Sequence, residues 1–445
     1  MYVVKEVSKE KQIIEKHKKT GDESISMHFS IPDCQEHYDE DNGTSYTKFN
    51  IHFNGNFHCC LRYKQLLALH EKIKNTKFMH SELLPTFPPK KLFPLTLSQL
   101  ESRRLALERY IQFLGQDPNI SKSDFMKNFF LRAQIESASV SHESTTLDVY
   151  LMNNFHIALE CNTTDYSSKV LQNTCQQINV PNQYLQYFSL FFMRRESENE
   201  VVLVRKLLDF ESPFISKQSY EDCQIVIRKS YFDPCYDSIL MQDKISLNLL
   251  FIQTVSDIEH NWIITTPAIK EKLNQLQERG NKKEYLEMAK NLPSYDCIKF
   301  TNAIVDYPAE GSIATVIIGN RELRLRTLQK NKIQETKFIV TRIKCWRIST
   351  IHNKDFDQNY ELSMEYLMNK NNLKWVTIVS EHAIIISVCL QNLIDELIQQ
   401  KNKTRTYDSN QQQQQHVKHD TTVYFRNATQ SVHNDAFEGI GDDDL

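Results

Sequence analysis

Two kinds of hydrophobic spacing alternate along this chain, and together they divide it. Between residues 46 and 63 apolar side chains recur at every second position on both sides of Asn54-Gly55. That pair accepts the positive φ values of a tight hairpin turn, so strands over 46–53 and 56–63 are predicted. Helical spacing then takes over, over 65–74 and again from Ser98, where Leu100, Leu105, Leu107, Tyr110, Ile111 and Leu114 recur until Asp117-Pro118. Three strands followed by helices account for the part from Met27 to about Arg132, and the Ser, Glu and His-rich stretch 133–144 reads as a linker. A second hairpin is predicted over 147–159, turning at Asn153-Asn154, followed by an amphipathic helix over 167–178 and an apolar strand over 188–193. Hairpin, helix, strand is the order of a ubiquitin-like fold.

The next block changes period. Leu247, Leu250, Phe251, Thr254 and Ile258 form one helical stripe, Thr266-Pro267 opens a second helix, and 285–292 supplies a third, which makes a small helical lobe. Strands return over 297–305, 312–318, 322–328, 337–349, 360–367 and 374–379, and a long helix over 381–399 follows with Ser380 as its expected N-cap. Strands closed by one C-terminal helix predict a pleckstrin-homology or phosphotyrosine-binding (PTB) sandwich. If 337–349 is one unbroken strand, Ile339, Ile343 and Cys345 share its core face. Arg342, Lys344 and Trp346 then share the other face, with the tryptophan leaning toward solvent. On the last helix Ile386, Leu390, Leu393 and Leu397 make the core stripe, and Ile394 and Ile398 a second apolar pair about 100° away. A PTB domain adds an extended peptide to a strand edge beside such a helix.

Composition narrows the chemistry. The 445 residues carry 53 basic and 56 acidic side chains, a net charge of −3, so no global basic field favours nucleic acid. No apolar run approaches the length of a membrane span and no signal-peptide pattern opens the chain, so a cytosolic protein is expected. The ten cysteines and fifteen histidines show no metal-ligand spacing, and neither a metal nor a cofactor is expected. With nine glycines, no Gly-rich phosphate loop and no nucleophile elbow, the chain does not read as an enzyme.

The most distinctive stretch is 84–104. Pro85, Pro88 and Pro89 stiffen it, Lys90 and Lys91 follow, and the apolar residues Leu92, Phe93, Leu95 and Leu97 lead into the helix. Apolar side chains beside lysines suit the boundary of an anionic bilayer. Arg62-Tyr63-Lys64 closing a strand, a Pro-Pro-Lys turn, and Arg103-Arg104 in a helix followed by Tyr110 together resemble the phox-homology (PX) domain of sorting nexins. The resemblance implies a phosphoinositide pocket in which Arg62 takes the 3-phosphate, Tyr63 stacks on the inositol ring, Lys90 takes the 1-phosphate and Arg103 the ring hydroxyls. Lys64 stands where many members carry a small hydroxyl residue. Leu92, Phe93 and Leu95 become the membrane-inserting loop.

With a ubiquitin-like, a helical and a PTB-like lobe behind it, the chain is similar to the PX-FERM sorting nexins. Val204-Arg205-Lys206-Leu207 and Cys345-Trp346-Arg347 are among the phrases that carry the likeness. The fold class expected is thus multidomain α+β, with a three-stranded PX sheet and helices, then the three FERM lobes. The expected divisions are an extension over 1–26, PX 27–135, ubiquitin-like lobe 145–232, helical lobe 233–296, PTB-like lobe 297–401, and a disordered acidic tail over 402–445. The resemblance makes the PTB-like groove, with Trp346, Leu367, Ile394 and Ile398, a site for Asn-Pro-x-Tyr or Asn-x-x-Tyr signals in receptor tails, and its strand edge is expected to be open. It likewise makes Phe437, Ile440, Asp444 and Leu445 the motif that recruits the Retriever recycling complex. A peripheral protein of early endosomes, bound to phosphatidylinositol 3-phosphate, is the function implied. A FERM-type linker between membrane and cytoskeleton is the alternative.

Overall fold

The computed structural model describes residues 28–39, 43–75, 84–91, 93–121, 123–197, 200–329, 332–352, 358–370, 372–409, 430–434 and 436–437. In the first unit, strands β1 (Phe29–Ser30) and β2 (Cys34–Asp39) lie along one side of β3 (Thr44–Phe53), and β4 (Asn56–Arg62) lies along the other. Asn54 and Gly55 take φ values of 49° and 79°, as the turn between β3 and β4 requires. Helices α1 (Tyr63–Asn75), α2 (Leu97–Gln116), α3 (Pro118–Ser121) and α4 (Asp124–Ala138) cover the sheet. Phe49, Ile51, Leu66, Leu107, Tyr110 and Phe130 meet in the core between them. Helix α2 starts one residue before the expected Ser98, because Thr96 and Gln99 close a reciprocal capping box.

The first half of the expected linker over 133–144 is helix, the end of α4 at Ala138. Ala133 and Gln134 on α4 are buried, and the Gln134 amide donates to Ser216 Oγ (3.0 Å) and accepts from the Ser212 amide (2.8 Å). Those partners lie about eighty residues away, so no local composition announces them. Only a short crossing separates α4 from the ubiquitin-like lobe.

That lobe is a five-stranded sheet of β5 (Ser144–Tyr150), β6 (His156–Asn162), β7 (Phe188–Ser197), β8 (Glu200–Lys206) and β9 (Cys223–Lys229) in the order β6-β5-β9-β7-β8. Strands β5 and β9 are parallel, and α5 (Ser167–Gln177) packs on the sheet. The helical lobe holds α8 (Lys244–Glu259), α9 (Pro267–Glu278) and α10 (Lys282–Lys290), with α6 (Pro213–Lys217) and α7 (Cys235–Leu240) as short helices before it. Thr266 caps α9 with Pro267 in its first turn, as its sequence foretells.

The PTB-like lobe is an eight-stranded sheet. Its strands β10 (Ile298–Val305), β11 (Ser312–Gly319), β12 (Glu322–Gln329), β13 (Lys332–Ile339), β14 (Ile343–His352), β15 (Gln358–Asn369), β16 (Asn372–Ser380) and β17 (Gln430–His433) run in the order β13-β12-β11-β10-β16-β15-β14-β17. Helix α11 (Ala383–Ser409) packs across it through Ile386, Leu390, Leu393 and Leu397. Ser380 ends β16, and its hydroxyl accepts from the His382 amide (3.1 Å), so it holds the turn before the helix. The predicted strand over 337–349 is broken by a 3-10 turn, Val340–Arg342. Of the stretch beyond residue 401, α11 continues through Ser409 and β17 adds a strand to this lobe.

The lobes interlock. Phe210 of the ubiquitin-like lobe packs into the first unit's core against Phe53 (ring centroids 5.4 Å) and His58 (5.6 Å). A Cβ added at Gly55 would meet Ile384 Cδ1 of α11 at 2.7 Å, so the hairpin tip lies directly on the PTB-like lobe. Glu396 of α11 accepts from the backbone amides of Phe232 and Asp233, both at 2.9 Å.

Candidate functional site

The first site grows from the end of β4. Arg62 is its last residue and Tyr63 the first of α1, and the Arg62 amide donates to Gln65 Oε1 (2.8 Å), which fixes where strand becomes helix. The Arg62 guanidinium lies 3.5 Å from the centroid of the Tyr46 ring. Tyr63 is the plank of the arrangement. Its hydroxyl donates to the Pro88 carbonyl (2.7 Å), Arg103 lies over its ring at 4.5 Å, and Arg103 Nη2 donates to the Pro89 carbonyl (3.0 Å). Phe87 anchors the proline segment by packing on Tyr63, His70 and Tyr110. Lys90 follows directly and is exposed, as is Lys64 on the first turn of α1.

Tyr63, Arg103 and the proline turn are thus brought into contact, while Arg62 turns to a different tyrosine. Among the described residues no carboxylate pairs with Arg62, Lys64, Lys90 or Arg103, whereas Arg104 pairs with Glu101 (2.5 Å) and Glu108 (3.5 Å). A guanidinium over an aromatic face with no carboxylate claiming it, as Arg103 lies over Tyr63, suits a phosphorylated ring. Tyr46 and Lys48, the cross-strand partner of Arg62, were not singled out by sequence; only the pairing of β3 with β4 places them there. Beside this group Phe93 and Leu97 are 82% and 87% exposed and Leu95 is partly buried. Leu92 lies outside the described residues.

The second site is the edge of β14, and it departs from expectation. Trp346 is fully buried, not turned to solvent, and its indole N–H donates to Ser387 Oγ of α11 (2.8 Å). The reason is the turn at Val340–Arg342 followed by a bulge between Ile343 and Cys345, which puts both Ile343 and Trp346 on the core side. Leu367 and Ile394 are buried too, and Ile398 packs against the same core.

Nor is the edge open. Strand β17 pairs with it antiparallel, Val432 opposite Trp346 and His433 opposite Cys345. The chain then turns. Asn434 donates through its side-chain amide to the Val340 carbonyl (2.7 Å) and the Ile343 carbonyl (2.5 Å). Its Oδ1 accepts from the Ala436 amide (2.9 Å), and its carbonyl accepts from the Phe437 amide (3.1 Å). The Val340 carbonyl also accepts from the Ile343 amide at the 3-10 turn, and the buried carboxamide adds a donor to both carbonyls where the strand is broken. Ala436 joins the lobe's core, and Val432 lines a crevice with Trp346, Ser387 and Val388. Of the expected C-terminal motif, Phe437 is partly buried; Ile440, Asp444 and Leu445 lie outside the described residues.

The segment on the edge reads Val432-His433-Asn434-Asp435-Ala436-Phe437, an Asn-x-x-aromatic sequence. The pattern is visible in the chain, although the family resemblance places Phe437 only in the C-terminal motif.

Comparison with known proteins agrees with this architecture lobe by lobe. The PX domain model matches residues 49–133, the sorting nexin 17/27/31 FERM F1 lobe 145–232, the sorting nexin 17/31 FERM F2 lobe 233–293, and the sorting nexin 17 FERM C-terminal domain 296–398. Sorting nexin-17 of Danio rerio is 40% identical over 391 residues, covering 84% of this chain and 82% of the relative. The chain belongs to the PX-FERM sorting nexin family. Among other members, sorting nexin-17 of Homo sapiens is 40% identical over 390 residues (84% of this chain, 83% of the relative) and human sorting nexin-31 is 32% identical over 383 (84% and 86%). A solved myosin VII MyTH4-FERM domain of Dictyostelium discoideum aligns with a TM-score of 0.35 at 12% identity, over 73% of this chain and 72% of that one. For this sorting nexin no described helix is long and apolar enough to cross a membrane, and no described cluster of side chains has the make-up of a metal site.

Proposed function

We propose that this chain is an endosomal cargo adaptor that acts by binding and not by catalysis. Arg62, Tyr63, Lys64, Lys90 and Arg103 hold phosphatidylinositol 3-phosphate, with Leu92, Phe93 and Leu95 entering the bilayer. The β14 edge with α11 takes Asn-Pro-x-Tyr or Asn-x-x-Tyr signals of receptor tails. The terminus from Phe437 to Leu445 recruits the Retriever complex, which returns the cargo to the cell surface. The observation that carries this reading is the turn at Asn434, since the groove already accepts an Asn-x-x-aromatic segment of the chain itself. A receptor tail of the same pattern competes for the same carbonyls, and its arrival frees Phe437 for the recruiting motif. Membrane and cargo contacts on one surface reinforce each other through effective concentration.

The test is flotation of the full chain on liposomes with and without phosphatidylinositol 3-phosphate, together with an Asn-Pro-x-Tyr peptide titration. Arg62→Ala is expected to abolish binding to the 3-phosphate liposomes and to leave peptide affinity unchanged. Equal flotation of Arg62→Ala on bisphosphorylated lipid with actin binding retained favours the cytoskeletal linker instead.

A further inference from the structure

The sheet of the PTB-like lobe has two edges. Strand β17 forms one and β13 the other, and among the described residues no strand pairs with the outer side of β13. On its inner side β13 meets β12 in eight consecutive pairs, from Glu322 with Ile339 to Gln329 with Lys332, with no bulge and no proline. A regular edge of that length is a template for another strand, which proteins ordinarily blunt.

Its main chain is ready for pairing. The Val340 amide donates to the Arg321 carbonyl, whereas the Ile339 amide donates to the Tyr366 hydroxyl (3.2 Å), so the even-numbered residues are the ones that bond to β12. Main-chain groups alternate sides along an antiparallel strand, and those of Ile333, Glu335 and Lys337 therefore point away from the sheet. Among the described residues they have no partner, and Lys332, Ile333, Gln334 and Glu335 are all exposed.

The side chains continue the pattern. Ile304 faces Ile313, Ala314 faces Thr327, which sets Ile313 beside Leu328, and Leu328 faces Ile333. Four adjacent strands thus carry one apolar row on the face turned away from the core, with Ile313, Leu328 and Ile333 each about 70% exposed. Single exposed apolar residues are ordinary, but a row of four abreast that runs to an unpaired edge marks an interaction surface. Farther along β13 the same face carries Glu335, Lys337 and the exposed Ile339.

We infer that this edge joins a second copy of the chain, β13 lying antiparallel on the partner's β13 about a two-fold axis at Thr336. Glu335 then faces the partner's Lys337, and the two exchange both main-chain bonds. Ile333 faces the partner's Ile339, which extends the apolar row across the junction. Symmetry repeats each pair, as an isologous interface requires. Charge selects this register: centring on Glu335 or on Lys337 sets like charges face to face, and a slip of one residue turns the apolar side chains to the other face. The intramolecular partners do not forbid the pairing, since Lys337 lies 3.7 Å from Glu322 with its side chain 60% exposed, and Glu335 holds Arg326 (2.8 Å) on the strand behind it. The inference does not depend on what the lipid pocket and the peptide groove take.

The experiment is analytical ultracentrifugation of the full chain from low micromolar to submillimolar concentration. A reversible rise from the mass of one chain to that of two is expected. Lys337→Glu should weaken association about ten-fold or more, because both cross-strand pairs become Glu against Glu. Glu335→Lys should weaken it likewise, and an equimolar mixture of the two variants should associate again, as each then meets the opposite charge. Thr336→Cys, on the axis, should give a covalent dimer with oxidised glutathione, whereas Gln334→Cys, opposite the partner's Phe338, should not. A chain of single mass at every concentration leaves the edge to a foreign strand or to none and overturns the assignment. A dimer that Lys337→Glu leaves intact, or cross-linking equal at 334 and 336, overturns it too. If Glu335→Lys fails to fold, Lys337→Glu and the two cysteine variants decide the matter.

Discussion

Arg103 and Arg104 are neighbours in sequence with opposite fates. Arg103 stacks on Tyr63 and reaches the Pro89 carbonyl, but no carboxylate among the described residues claims its charge. Arg104 is held by Glu101 and Glu108, and its guanidinium also donates to the Ile31 carbonyl, stitching α2 to the strand entry. The two should therefore separate stability from binding. Arg104→Ala is expected to cost about 1–3 kcal/mol of stability, the range for charge-assisted hydrogen bonds, and to keep lipid binding. Arg103→Ala should weaken flotation on phosphatidylinositol 3-phosphate liposomes with a much smaller change in melting temperature. Measuring both quantities on both variants tests the headgroup pocket, and an equal effect of the two on flotation argues against it. The local pattern of arginines marked the region; which one is free depends on carboxylates one helical turn away.

At the scale of elements, β17 is held on β14 by few main-chain bonds and by one side chain. Asn434 is 2% exposed and satisfies two carbonyls and one amide, so it is the clasp. Removing it takes away these side-chain hydrogen bonds, at a cost of about 1–3 kcal/mol. Asn434→Ala is expected to release the segment and tighten binding of an added Asn-Pro-x-Tyr peptide about ten-fold, because the groove is then more often vacant. Isothermal titration of the full chain measures this, and removal of residues 430–445 should give the same gain. A weaker peptide affinity in both variants points to a segment that shapes the groove and does not compete for it. Periodicity alone gives the strand and the helix that build this groove. The turn at Val340–Arg342 and the following bulge shift the register of Trp346 through long-range pairing, which no window of sequence contains.

The whole molecule is a set of lobes locked by shared side chains, and one of these senses pH. His58 sits between Phe53, Phe130 and Phe210, and a ring nitrogen, Nε2, faces the Phe130 carbonyl at 3.1 Å. Burial lowers its pKa from 6.5 to about 4. The folded chain keeps this ring neutral where the unfolded chain takes a proton. Stability that is present above pH 6.5 is therefore lost as pH falls toward 4, by at most about 3 kcal/mol. His58→Gln should flatten the fall in melting temperature between these values. An unchanged slope shows that other groups carry the acid sensitivity. Because the ring touches Phe210, early acid unfolding should loosen the contact between the PX domain and the ubiquitin-like lobe.

Local chemistry was enough to determine the order of the lobes and most of their elements. Asn54-Gly55 must turn, Thr266-Pro267 must open a helix, and an apolar stripe at helical spacing must find a core, whatever surrounds them. The residues proposed for the headgroup pocket could be named from sequence because they lie on three short motifs. What the tertiary structure alone decided is how remote segments share one space: Gln134 buried against Ser212 and Ser216, Trp346 turned inward, and the chain's own Asn434 seated where a receptor tail was expected. Each depends on partners far away along the chain, and hydrophobic period and turn chemistry carry information only over a few residues on either side.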